Sequence, residues 1–234
     1  MVFLIAYLAV IASIVAWWLS KQGLTAKPWL EPGGFVDVRG AQAPSPPAAM
    51  IGLRVFFAAA GALFTLFITA YAMRLESGDQ NLLPTPFVLW LNTAVLVLAS
   101  VELQGAQISA RRGQTQGVKT GLLAASVCGV AFLAGQLLAW RQLADAGYFV
   151  ATNPASSFFY LLTAMHGLHV LGGLVALGRT TAKAWTLTAV GPTRLGVELC
   201  TSYWHFLLFV WVILFALLQH WTDDFILICR QLLN

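Results

Sequence analysis

Ser156-Ser-Phe-Phe-Tyr-Leu-Leu-Thr-Ala-Met-His166-Gly-Leu-His169-Val-Leu-Gly-Gly173-Leu-Val-Ala-Leu-Gly-Arg179 runs for 23 residues before it meets a formal charge. About 20 mostly apolar residues suffice for a helix to cross the hydrocarbon core of a bilayer, so this stretch predicts a membrane span. Two imidazoles sit inside it. An ionisable group at bilayer depth is expensive, and each is either functional or held by a structural partner. A second such stretch, Val197-Glu198-Leu-Cys-Thr-Ser-Tyr203-Trp204-His205-Phe206-Leu-Leu-Phe-Val-Trp211, combines a carboxylate, an imidazole and two indoles.

Four further apolar runs give six predicted spans, at residues 2–19, 51–73, 84–107, 118–140, 156–179 and 197–220. None shows the period-two alternation of a membrane β-barrel strand, so the class is all-α membrane protein. Composition agrees. The 234 residues are 59% hydrophobic and 9% charged, well below the roughly 25% charge of a water-soluble domain. The net charge of +4 follows membrane topology and does not indicate nucleic acid. Three cysteines, Cys128, Cys200 and Cys229, imply neither a disulfide framework nor a CxxC site.

Sorting cations by loop sets Lys21, Lys27, Arg39, Arg54, Arg111, Arg112, Lys119, Arg179, Lys183 and Arg194 on one side, and Arg74, Arg141 and Arg230 on the other. The positive-inside rule then puts both termini outside. Span one has no basic residue before its apolar run and reads as a retained anchor over residues 1–20. Residues 21–50 carry Lys27-Pro-Trp-Leu-Glu-Pro-Gly-Gly34 and Ala43-Pro-Ser-Pro-Pro47, a stiff inside linker. A five-helix body over residues 51–222 and a tail over 223–234 complete the chain. Pro84, Pro86 and Asn153-Pro154 fall at span starts, where a missing backbone donor costs little.

His166 and His169, three residues apart, share a helical side about one turn apart. Depth counting brings His169 and His205 to a level at which they are able to meet, whereas Glu198 is about 10 Å further along its helix than His205. Three readings compete: haem or metal ligation, a proton relay or gate, and interhelical hydrogen bonding. Glu102 and Glu198 lie toward the inside ends of their helices. Each reads as a snorkelled or arginine-paired carboxylate, or else as an inner-side proton or lipid-headgroup site. Trp17, Trp18, Trp90, Trp140 and Trp221 suit an interfacial belt, and Trp204 and Trp211 read as packing or lipid contact. Gly167, Gly172 and Gly173 permit close helix approach.

Two long motifs in the right order carry a resemblance. Phe158 to Gly173, with His166-Gly-Leu-His169-Val, is similar to one signature of subunit III of haem-copper oxidases, the cytochrome c oxidase type. Val197-Glu198 with Tyr203-Trp204-His205-Phe206 and Trp211 is similar to that family's final-helix signature, and Leu91-Asn92-Thr93 to Ser100 to a third run. The resemblance covers about residues 51–222. It implies a five-helix bundle with a V-shaped lipid cleft, preceded here by one additional N-terminal helix.

What the resemblance implies for function is a non-redox accessory subunit of a terminal oxidase in an energy-transducing membrane, here a bacterial plasma membrane. The complex reduces dioxygen to water with proton pumping, and takes electrons from cytochrome c or quinol. Haem and copper sit in partner subunits I and II, with no cofactor, metal or catalytic residue in this chain, while bound phospholipid is expected. On this reading His166, His169, Glu198, Trp204, His205 and Glu102 are structural, or touch lipid or subunit I. They would stabilise subunit I and support proton uptake and oxygen access. The alternatives are subunit III of a quinol oxidase and a stand-alone proton channel or transporter using His166, His169, His205 and Glu198. Two departures from the pattern weigh against a relay: Ala60 stands where the family commonly has a buried glutamate, and Leu208 where it has an aspartate.

Overall fold

The computed structural model describes residues 48–75, 86–150, 154–186 and 193–219. The predicted first span at 2–19, nearly all of the linker and the C-terminal tail lie outside the described residues, as do Pro84, Trp17, Trp18 and Trp221.

Five α-helices account for almost all of the described chain: α1 (Ala48–Leu75), α2 (Val88–Arg111), α3 (Thr115–Asp145), α4 (Pro154–Thr186) and α5 (Arg194–Leu218). Each is long and apolar enough to cross a membrane, and among the described residues there is no strand. The sequence places each helix correctly. It understates α3 and α4, which run five and seven residues beyond the apolar stretches 118–140 and 156–179. Hydropathy marks where a helix lies in hydrocarbon, while local backbone geometry marks where it stops.

Glycine supplies that geometry at two places. α2 and α3 are joined by Arg112-Gly113-Gln114, with Gly113 at φ 72°; its N–H donates to the Ala110 carbonyl and the Gln114 N–H to the Ser109 carbonyl. α3 ends at Gly147, φ 86°, and the Tyr148 N–H reaches back to the Leu143 carbonyl at 2.9 Å. A positive φ after the last turn lets the chain double back onto otherwise unbonded carbonyls. α4 opens directly on Pro154, where proline's fixed φ suits the first helical turn.

The short α2–α3 turn makes these helices antiparallel neighbours and the most extensive pair in the bundle. α2 also packs on α5, α3 on α4, and α4 on α5. α1 packs chiefly on α4 and α5, and each of these two contacts is less extensive than the four just named. It adds Phe64 and Tyr71 to a cluster with Leu162, Val210 and Leu214.

Lipid tails are as apolar as leucine, so helices in a bilayer associate through close packing and interhelical hydrogen bonds rather than through escape from water. Close packing surrounds Trp204. Its fully buried indole on α5 lies against Gly129 of α3 and Gly173 of α4. A Cβ on Gly129 would come within 3.0 Å of the indole and 2.8 Å of Leu174; one on Gly173 would come within 2.9 Å of the indole and 2.6 Å of the Tyr203 ring. Of the three glycines the sequence marks in α4, only Gly173 is pressed in this way. Gly167 has ordinary room and Gly172 faces open space.

Gly173→Ala is therefore expected to be less stable than Gly172→Ala by about 1–3 kcal/mol, the usual cost of overpacking. The two changes share the same gain in helix propensity, so their difference in thermal midpoint in one detergent isolates the steric effect. Equal midpoints would refute the wedge.

Candidate functional site

Histidine side chains in α4 and α5 need hydrogen-bond partners, and two find them on their own helices. His169 Nδ1 lies 2.7 Å from the Met165 carbonyl, and His205 Nδ1 lies 2.7 Å from the Thr201 carbonyl. A carbonyl only accepts, so in both rings Nδ1 carries the proton. His205 is exposed on the bundle surface, while His169 packs between Phe56 and Phe64 of α1, with ring centroids 5.9 and 5.3 Å away. Among the described residues no hydrogen bond or ring contact joins His169 to His205. Depth counting makes their meeting feasible; their directions around the helices prevent it.

His166 behaves differently. It is 0% exposed and sits among aromatic rings: Trp211 at 5.1 Å, Phe132 edge-on at 5.6 Å and Phe64 at 6.3 Å. Neither ring nitrogen has a hydrogen-bond partner among the described residues. Three residues along a helix leave an angular offset of about 60°. That offset turns His166 into the core and His169 toward α1.

Glu198 is held at the end of the bundle that carries most of the described cations. Its carboxylate Oε1 lies 3.4 Å from Arg194 Nε, one turn earlier on α5, and 3.8 Å from Arg111 Nε at the end of α2. The side chain is 18% exposed, so the arginine-paired reading holds for Glu198. Arg111 adds a second cation from another helix, which the sequence reading did not assign to Glu198. Glu102 is exposed on the surface of α2 and has no such partner among the described residues.

Other interhelical bonds come from residues to which the sequence reading assigned no such bond. The Asn92 amide donates to Gln136 Oε1 at 3.3 Å, linking α2 to α3. Trp211 donates to Thr93 at 2.9 Å, Trp140 to Thr163 at 3.0 Å, and Tyr203 to the His169 carbonyl at 2.9 Å. Thr201 reaches the Leu103 carbonyl at 3.2 Å. Trp140 thus ties α3 to α4. The legible signal was a hydroxyl or amide in an otherwise apolar run, as at Gln136. Ala60 is buried and Leu208 packs into the aromatic core, so neither departure leaves a polar gap.

Two cavities adjoin along α4 and α5. One of about 490 Å³ is lined mainly by apolar groups, including Leu53, Phe56, His169, Gly172, Leu199 and Tyr203. The other, of about 250 Å³, is lined by Arg179, Lys183, Thr193, Leu195, Gly196 and Leu199. Leu199 borders both. Among the described residues no three His, Cys, Asp or Glu side chains gather where a metal ion would be held.

The fold and its polar groups define an integral membrane helix bundle whose interior side chains hydrogen-bond both within their own helices and across to neighbouring ones. A sequence model of the family described as cytochrome c oxidase subunit III matches residues 54–223, and the chain belongs to that family, the third subunits of haem-copper oxidases. It is 29% identical to a probable cytochrome c oxidase subunit 3 of Nocardia farcinica (strain IFM 10152) over 195 residues, 79% of this chain and 94% of the relative. It is 33% identical to a probable cytochrome c oxidase subunit 3 of Mycobacterium leprae (strain TN) over 172 residues, 70% of this chain and 80% of the relative. Against a cytochrome bo(3) ubiquinol oxidase subunit 3 of Pseudomonas aeruginosa the identity is 30% over 162 residues, 66% of this chain and 76% of the relative. As an oxidase subunit the chain works within an oxidoreductase assembly together with other oxidase subunits.

The surroundings of His166 predict its mutational behaviour. A buried polar group without partners is replaceable by an apolar one of similar volume at little cost. His166→Leu is expected to change stability by less than about 1.5 kcal/mol, whereas His166→Ala, which leaves a cavity, costs about 2–5 kcal/mol. Chemical or thermal unfolding in detergent measures both; a large loss for leucine would show that the imidazole makes bonds in the folded protein.

Proposed function

We propose that this chain is the non-redox accessory subunit III of a cytochrome c oxidase-type terminal oxidase, packed against subunit I, with haem and copper confined to subunits I and II. The observation that carries the reading is the disposition of the polar groups. His169 and His205 each bond a carbonyl of their own helix, Glu198 is taken by two arginines, and His166 is enclosed by three aromatic rings. Haem ligation wants an imidazole directed at a shared open space, and a relay wants a chain of partners. Only His169 of these imidazoles borders the larger cavity, and among the described residues no hydrogen-bonded chain joins these groups. Catalysis then belongs to the partner subunits, and this chain stabilises subunit I and supports proton uptake and oxygen access.

Bound phospholipid belongs to the same proposal. The apolar cavity between α1, α4 and α5 accepts acyl chains. The adjoining cavity offers Arg179 and Lys183 to an anionic headgroup, and on the positive-inside assignment it lies at the cytoplasmic face, with both termini outside. His169 and Tyr203 border the acyl-chain space, which gives the histidine a lipid-contact role.

Purification of the tagged chain with its complex tests the function. The expected result is an oxidase core with haem and copper spectra, oxidising cytochrome c, while the separated chain is colourless. A haem spectrum in the separated chain, or proton flux through it in liposomes that disappears with His169→Ala, would overturn the assignment. Oxidation of quinol but not cytochrome c would move it to the quinol branch represented by the Pseudomonas aeruginosa relative. Native mass spectrometry should show an anionic phospholipid retained by the chain and lost when Arg179 and Lys183 are both changed to alanine.

A further inference from the structure

Glu102 stands apart from every other carboxylate described. It is the fifteenth residue of the 24-residue α2, which at the helical rise puts it about 21 Å from Val88 and about 14 Å from Arg111. That is the middle third of a helix long enough to span the membrane, deeper than the inside-end placement read from the span 84–107, because α2 runs on to Arg111. Its side chain is exposed. Among the described residues no hydrogen bond or ion pair reaches it, and Arg111, the cation ending the same helix, is engaged with Glu198.

Exposed apolar side chains flank it on the side toward Val88. Leu98 and Val101 are exposed beside Glu102, and Gly105 follows one turn after Val101. A Cβ built on Gly105 meets nothing within 4 Å, so the bundle's own packing does not require a glycine there. A small residue on the outer face of a membrane helix lets another helix backbone approach closely. A carboxylate at that depth needs a cation or hydrogen-bond donor. Acyl chains have none.

We propose that the Leu98–Glu102–Gly105 face of α2 is the docking surface for a membrane-spanning helix of a partner oxidase subunit, which brings a cation or an N–H or O–H donor to Glu102 and packs its backbone over Gly105. The proposal rests on the reading of this chain as an oxidase subunit. It adds the surface by which the subunit is held and the chemistry of the partner group.

A photo-crosslinking residue at Val101 in the intact, detergent-solubilised complex should form an adduct with a membrane-spanning segment of another oxidase subunit. In parallel, Glu102→Leu should weaken retention of this chain on the haem-bearing core by at least about tenfold, as expected for a desolvated charge that loses its role in a pair. Glu102→Gln, which keeps hydrogen-bonding capacity, should retain more of it. The thermal midpoint of the isolated chain should not change with Glu102→Leu, because the carboxylate makes no bond within the described bundle; this separates lost docking from misfolding. Adducts confined to phospholipid or to this chain itself, or undiminished retention of Glu102→Leu, would overturn the proposal. If the unmodified chain captures no haem-bearing core, the functional assignment fails instead.

Discussion

The indole of Trp204, wedged between Gly129 and Gly173, is the contact on which the rest of the bundle depends. It locks α3, α4 and α5 at one level, and in a membrane such packing must do what apolar burial does in water. The register it sets also governs the polar bonds on both sides. One residue earlier on α5, Tyr203 reaches the His169 carbonyl; two turns later, Trp211 reaches Thr93 and closes over His166. One turn earlier, Thr201 touches the Leu103 carbonyl of α2.

Within that frame the ionisable groups divide by position. Glu198 sits where arginines from two helix ends converge, and fastens α2 to α5 at the cationic end of the bundle. His169 borders the apolar cavity beside α1, and His166 is sealed in the core. None of these groups is linked to another by a hydrogen bond. That separation favours a supporting subunit over a proton path of its own, and it agrees with Ala60 and Leu208 standing at positions where the family commonly has carboxylates. α1, held by fewer contacts than the other helices, forms the loose wall of the cavity proposed for lipid.

Five helices were legible because each needs about 20 apolar residues, a signal that no packing detail alters. Their ends were not: Gly113 and Gly147 end or turn helices through backbone conformation, beyond the apolar stretch. Side-chain depth was legible from residue counting, so His169 and His205 were set near one level. Direction around the helix was not, because it depends on which neighbour each face meets. The i,i+4 partner of Glu198, Arg194, was available in the sequence; Arg111, 87 residues away, required the fold. The Trp204 wedge was visible only in part, as a glycine pair in α4 of which one member proved open and the other pressed.

The central claim is that His166, His169 and His205, on the function proposed above, take no part in electron or proton chemistry. Its most direct test is the rate of dioxygen consumption per haem in the intact oxidase carrying His166→Leu, His169→Leu and His205→Leu together, measured on preparations that retain the chain in full proportion. The account predicts a rate and a proton-per-electron ratio equal to those of the unmodified complex. A fall in either, with the chain still in place, would contradict it.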